Sequence, residues 1–199
     1  MSKNIKAALK QTTGAKLPTG PFTANEAIQG GIPRVTFYRM VRKGAVVLLD
    51  RGIYQDADAE IDPSTLDLAI ACKRFGPSSS IGGLTALFRY GLTEQVPTKI
   101  WVLVPPTMKR TGRRYRVIRT NLDPNIGIEE SEYYRMADVN RALVEALRYT
   151  TKIGLRTAIR AAREALKTGK TTEAKLMRRA KELGLENFVL RQWDAVVVE

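Results

Sequence analysis

Residues 22–55 leave the N-terminal part of this chain little freedom in how it folds. The run Phe22-Thr23-Ala24-Asn25-Glu26-Ala27-Ile28-Gln29 puts a threonine three residues ahead of a glutamate. That is a capping box: the threonine hydroxyl accepts the third helical amide while the glutamate reaches back. Gly30-Gly31 supplies a turn, and Pro33 suits the first position of a second helix, where its missing N–H would be unbonded anyway. The spacing predicts that helix over 33–43, with Phe37, Met40 and Val41 on one face at i, i+3, i+4, and a stop at Gly44. Residues 46–49 and 53–55 read as two short strands around Asp50-Arg51-Gly52. Helix, glycine turn, helix and apolar hairpin in that order describe a winged helix-turn-helix. Residues 5–10 are a candidate preceding helix, with a loop over 14–21.

Charge sharpens this. The chain of 199 residues carries 33 Lys and Arg against 20 Asp and Glu, a formal +13, which favours an anionic partner. It has no histidine, so the commonest general base and metal ligand is missing. Its single cysteine, Cys72, excludes an internal disulfide and a cysteine-based zinc or iron–sulfur centre. Cys72 lies in the apolar run Leu68-Ala69-Ile70-Ala71-Cys72 and reads as a small core residue. With no apolar leader and no stretch near ~20 apolar residues, the expectation is a cytoplasmic protein with no membrane partner.

The acidic segment 56–63 reads as a linker, dividing the chain into a DNA-binding domain over 1–58 and a larger domain over 62–199. In the second, helices are expected over 63–75, with Leu66, Ala69, Ile70 and Phe75 inward, and over 78–90. Strands are expected over 99–104, 115–120 and 126–130. Helices follow over 138–149, 155–166, 172–183 and 187–197. The expected fold class is α+β: an N-terminal winged helix-turn-helix, then a mixed α/β domain ending in a helical bundle.

Three basic constellations are candidates for binding. Arginine matches the two acceptors of guanine in the major groove, so Arg34 and Arg39 are expected at base edges, with Thr36 and Tyr38 beside them. Arg42, Lys43 and Arg51 of the wing suit phosphates, which set affinity and register. Lys109, Arg110, Arg113, Arg114 and Arg116, with Arg119 nearby, form a second basic surface between two strands. It suits a phosphate backbone or an acidic protein, and equally a solvated loop. On the 155–166 helix, Leu155, Ile159, Ala162 and Leu166 make an apolar stripe, with Arg156, Arg160, Arg163 and Lys167 one position on. Arg178, Arg179 and Lys181 extend that basic stripe, which fits an acidic docking surface.

Catalysis has little support. Glu173-Ala174-Lys175 matches the E-x-K string of some metal-dependent nucleases but opens a helix without an acidic strand before it. Glu129, Glu130 and Glu132 read as a solvated cluster. Ser78-Ser79-Ser80 has no base beside it and reads as a helix cap. Gly82-Gly83 lacks the Lys-Ser/Thr of a phosphate loop and suits close packing. No catalytic residue, metal site or cofactor is expected.

With these parts in place the chain resembles the AbiEi-type antitoxins of type IV, or abortive infection, toxin–antitoxin systems. The likeness lies in the winged unit, from Phe22-Thr23-Ala24 through Gly31-Ile32-Pro33-Arg34 to Arg51-Gly52-Ile53-Tyr54. It continues in Ser80-Ile81-Gly82-Gly83-Leu84-Thr85-Ala86-Leu87 with Gly91-Leu92-Thr93, and in Ala146-Leu147-Arg148-Tyr149-Thr150-Thr151-Lys152-Ile153-Gly154-Leu155 with the helices to Trp193. The last string is the most specific. The resemblance implies a non-enzymatic antitoxin that represses its own operon in phage defence. Its implied partners are double-stranded promoter DNA at repeated sites and a cognate nucleotidyltransferase-like toxin, met directly or indirectly. The chain departs in its Lys- and Thr-rich extension before Phe22 and in the very basic 109–116 loop. The competing readings are a winged-helix regulator whose C-terminal domain oligomerises or senses a ligand, and a metal-dependent nuclease with a winged targeting module.

Overall fold

The computed structural model describes residues 16–197, so the candidate helix over 5–10 lies outside the described residues. The protein is mixed α+β and divides into two compact units, one running to Arg74 and one starting at Phe75.

The first unit opens with β1 (Phe22–Thr23), α1 (Ala24–Gln29) and α2 (Arg34–Arg42), followed by β2 (Val46–Asp50) and β3 (Ile53–Asp56). Phe22 and Thr23 pair antiparallel with Tyr54 and Ile53, giving a three-stranded sheet in the order β1-β3-β2. Thr23 does two jobs, ending the strand and capping the helix. Its Oγ1 accepts from Glu26 N at 3.3 Å and its own N donates to Glu26 Oε2 at 2.7 Å. The expected capping box is therefore complete, a feature worth about 1 kcal/mol. Gly31 turns the chain at φ +94°, a conformation that a Cβ disfavours, and Pro33 sits one position earlier than expected, as the N-cap of α2. Phe37 is the centre of this unit's core. Its ring meets Phe22 edge-on at 6.4 Å and Tyr54 at 5.1 Å, with Met40, Ile32 and Val46 buried around it.

Then comes α3 (Pro63–Phe75), in which residues 68–72, Cys72 included, are all buried; Leu66 is only half-buried. Lys73 Nζ donates to Glu26 Oε1 at 2.8 Å, and Arg74 Nη1 to Asp50 Oδ2 at 3.2 Å. Partial burial pushes the Glu26 carboxyl up, but the bonds from Lys73 and Thr23 outweigh it and hold the group below its ordinary value.

The second unit holds β4 (Ser80–Ile81), α4 (Gly83–Arg89), β5 (Ile100–Val104), β6 (Tyr115–Arg119), β7 (Ile128–Glu130) and β8 (Arg135–Ala137). The sheet order is β6-β5-β4-β8-β7. β5 and β6 run parallel, as do β4 and β8; the other neighbours are antiparallel. The single helix expected over 78–90 is therefore a strand and then a shorter helix. Ile81 lies between Val102 and Met136, and pairing on both sides fixes it as central strand. The three serines do not cap the helix: Ser79 Oγ donates to Gly76 O at 2.6 Å, Ser80 is in the strand, and Gly82 is the N-cap.

Gly82 and Gly83 do permit close packing. A Cβ on Gly82 would lie 2.5 Å from Leu103, and one on Gly83 would lie 2.5 Å from the Trp101 ring. Gly83 also has φ +51°. Gly83→Ala combines a left-handed backbone with overpacking, and the expected cost is about 2–5 kcal/mol, read as a fall in melting temperature. An unchanged melt would mean that the β4–α4 turn is not rigid.

Five helices complete the unit: α5 (Val139–Arg148), α6 (Thr150–Ile153), α7 (Leu155–Lys167), α8 (Glu173–Glu182) and α9 (Glu186–Val197). Asp138 caps α5, accepting from Arg141 N at 2.7 Å. α5 packs against α4, α7, α8 and α9, and residues 141–147 are all buried. Two of them are charged. Arg141 and Glu145 are one turn apart and meet at 3.0 Å, with side chains 1% and 0% exposed. Burial pushes the Glu145 carboxyl up, and Arg141 opposes it. The apolar stripe expected on α7 is rotated. Ala158, Ala161, Ala162 and Ala165 are buried, whereas Leu155 is 44% exposed and Ile159 and Leu166 are half-buried. α7 packs against both α5 and α9, and alanine lets helices approach where leucine would hold them apart.

Candidate nucleic-acid interface and basic surfaces

The residues of α2 divide cleanly between two faces. Phe37 and Met40 are fully buried and Val41 packs on them from the side. Arg34, Tyr38, Arg39, Arg42 and Lys43 are exposed, and Thr36 is half-buried. The outward face runs through 35, 38, 39 and 42, at i, i+3, i+4 and i+7. It includes Val35, which is 77% exposed and was not among the residues expected to meet a partner. Its signal was available: it shares a face with Tyr38 and Arg39 by helical spacing alone. An exposed valine on a basic helix is suited to a thymine methyl group. Arg34 stacks over the Tyr38 ring at 5.9 Å, which orients both side chains.

The hairpin contributes a second exposed edge. Arg51 sits in the turn, its N donating to Asp50 Oδ1 at 2.7 Å, and its side chain is exposed. Leu48 is 59% exposed and Val47 lies beside it. Asp50 is held by Arg74, so the acidic residue next to Arg51 is already neutralised. The described part of the α2 face carries no carboxylate, which leaves its potential positive.

The loop between β5 and β6 places Lys109, Arg110, Arg113 and Arg114 in solvent, with Arg116 and Arg119 on the exposed side of β6. Arg116 lies over the Trp101 ring at 5.7 Å, and Arg119 Nε donates to Met108 O at 3.0 Å.

On α7 the basic residues Arg156, Arg160, Arg163 and Lys167 are all exposed, opposite the alanine stripe. They do not form one uniform surface. Arg156 and Arg160 line a cleft with residues 91–95 and Glu164, whereas Arg160, Arg163 and Lys167 border a groove floored by Val196 and Val197. Arg163 is tethered, donating to Ala195 O through Nε at 3.2 Å and Nη2 at 2.8 Å. Of the residues that extended this stripe, Arg179 is bonded to Asp138 at 2.7 Å and to Glu182 at 2.7 Å, so it fixes α8 to the start of α5.

The string 148–155 becomes an ordered corner. Arg148 and Lys152 flank the Tyr149 ring at 5.1 and 4.9 Å, and Gly154 at φ +97° separates α6 from α7. Two of the carboxylates considered for chemistry have structural partners: Glu129 accepts from Tyr90, and Glu130 from Arg135 at 3.1 Å. Glu173-Ala174-Lys175 opens α8, with Lys175 N donating to its cap Thr172. Among the described residues no helix is long and apolar enough to cross a membrane. Compared with protein-family models the chain matches none, and compared with curated proteins it matches none.

Proposed function

We propose that this protein is a DNA-binding autorepressor of its operon and the antitoxin of a type IV toxin–antitoxin system. In this reading the first unit is a winged helix-turn-helix, with α2 as the recognition helix and the β2–β3 hairpin as the wing. The observation that carries it is the division of α2 into a buried face around Phe37 and an outward face of Val35, Tyr38, Arg39 and Arg42 free of carboxylates. Arg34, Thr36, Tyr38 and Arg39 read base edges, and Arg42, Lys43 and Arg51 hold phosphates. The antitoxin half draws its support from the likeness centred on 148–155 and from the exposed basic side of α7. It needs no active site.

The test is a mobility shift of the DNA upstream of the gene, at several salt concentrations, against a scrambled duplex of equal length. A discrete complex that survives physiological salt and scrambled competitor is the expected result. Equal binding to both duplexes that fades as salt rises reflects counterion release only, and would remove the repressor reading.

A further inference from the structure

The second unit contains a cleft of about 360 Å³ that none of the functions above uses. It lies where the chain leaves the C-terminal ends of the parallel strands β5 and β6. Ser80, the first residue of β4, pairs with Leu103 there, and Thr120 N donates to Val104 O at 3.0 Å. Side chains that leave parallel strands at this end diverge, and open sheets take ligands in such crevices. One wall is apolar, built from Leu103, Val104, Pro105, Pro106 and Leu122; the other carries the hydroxyls of Ser78, Ser80 and Thr120.

Arg141 also lines the cleft and is its charged wall residue. Its side chain is almost wholly buried, and two of its three nitrogens are committed. Nε donates to Glu145 Oε1 at 3.0 Å, and Nη1 to Asp123 O at 2.7 Å and to Ile126 O. Nη2 takes no acceptor among the described residues. A guanidinium held rigidly by three bonds, with one nitrogen unused beside a half-apolar cleft, is a preorganised site for an anionic oxygen. The ion pair with Glu145 reduces the net charge of the site, which disfavours a multiply charged guest and suits a single one.

We propose that this cleft binds a small monocarboxylate with a short apolar body, its carboxylate accepting from Arg141 Nη2 and the serine hydroxyls, and its apolar end against Leu103, Pro105 and Pro106. The proposal is independent of DNA or toxin binding.

The experiment is a titration of the full chain with butyrate, butyramide and inorganic phosphate, followed by ligand-observed NMR. Butyrate should saturate with a Kd on the order of millimolar, and butyramide should bind at least ~10-fold more weakly, because it lacks the charge. Two variants locate the site. Asn121→Trp, at the exposed rim, fills the mouth. The paired change Arg141→Met with Glu145→Met removes the guanidinium without stranding its charged partner. Each should weaken butyrate at least ~10-fold while far-UV circular dichroism stays unchanged. Equal binding of butyrate and butyramide, preference for phosphate, unchanged binding in Asn121→Trp, or no saturation by butyrate would each overturn the assignment.

Discussion

Arg39→Ala is expected to lower affinity for the upstream operator by about 10–100-fold, the range of one lost bidentate contact to guanine. Arg39 lies on the outward face of α2 and its removal exposes no core residue, so the melting temperature should hold. Affinity for scrambled duplex should fall far less. Arg42→Ala or Lys43→Ala should behave differently, weakening all duplexes alike and flattening the salt dependence by about one unit of slope. Toxin neutralisation, measured in cells carrying both genes under a heterologous promoter, should survive Arg39→Ala. Equal loss of operator binding and neutralisation would sink the assignment of the two activities to separate units.

Glu145→Ala is expected to be the most damaging single change in the second unit. It leaves the Arg141 guanidinium, 1% exposed, without its counter-charge. Breaking a buried pair from one side costs about 3–5 kcal/mol, because the remaining charge keeps its desolvation penalty. In a chain of this size that corresponds to a melting temperature lower by roughly 10 °C. Glu145→Gln keeps an acceptor for Arg141 Nε and should cost less. Changing Arg141 and Glu145 together to methionine should recover most of the loss. If the double change is as unstable as Glu145→Ala, the carbonyls of Asp123 and Ile126, and not Glu145, are the partners that matter to Arg141.

The parts of the fold that could be read from sequence are those fixed by local chemistry. Thr23 and Glu26 specify their capping box within four residues, Asp138 and Thr172 cap their helices, and the run of residues 100–104 is too uniformly apolar to be anything but a buried strand. What escaped was decided by pairing at long range. Ser80 and Ile81 carry helical spacing with Leu84 and Leu87, yet Val102 and Met136 hold Ile81 in a sheet. β8 is only three residues, and its strand character comes from β4 and β7. The buried stripe of α7 is alanine and not leucine, because a helix with neighbours on two sides selects for small residues. The same limits apply to the candidate interface. Arg34, Arg39 and Arg42 follow from periodicity, but the tether of Arg163 to Ala195 depends on a helix thirty-two positions away.

The alanine side of α7 has an implication for how such a protein can diverge. Ala158, Ala161, Ala162 and Ala165 set the distance between helices, and any larger side chain there would push α5 or α9 away. Arg156, Arg160 and Lys167 bear none of that constraint. One helix thus keeps its architectural requirement and its outward chemistry on separate positions. Substitutions that reverse charge or add bulk on the outer side can accumulate without disturbing the scaffold, so the surface chemistry of this helix can change while the fold stays the same.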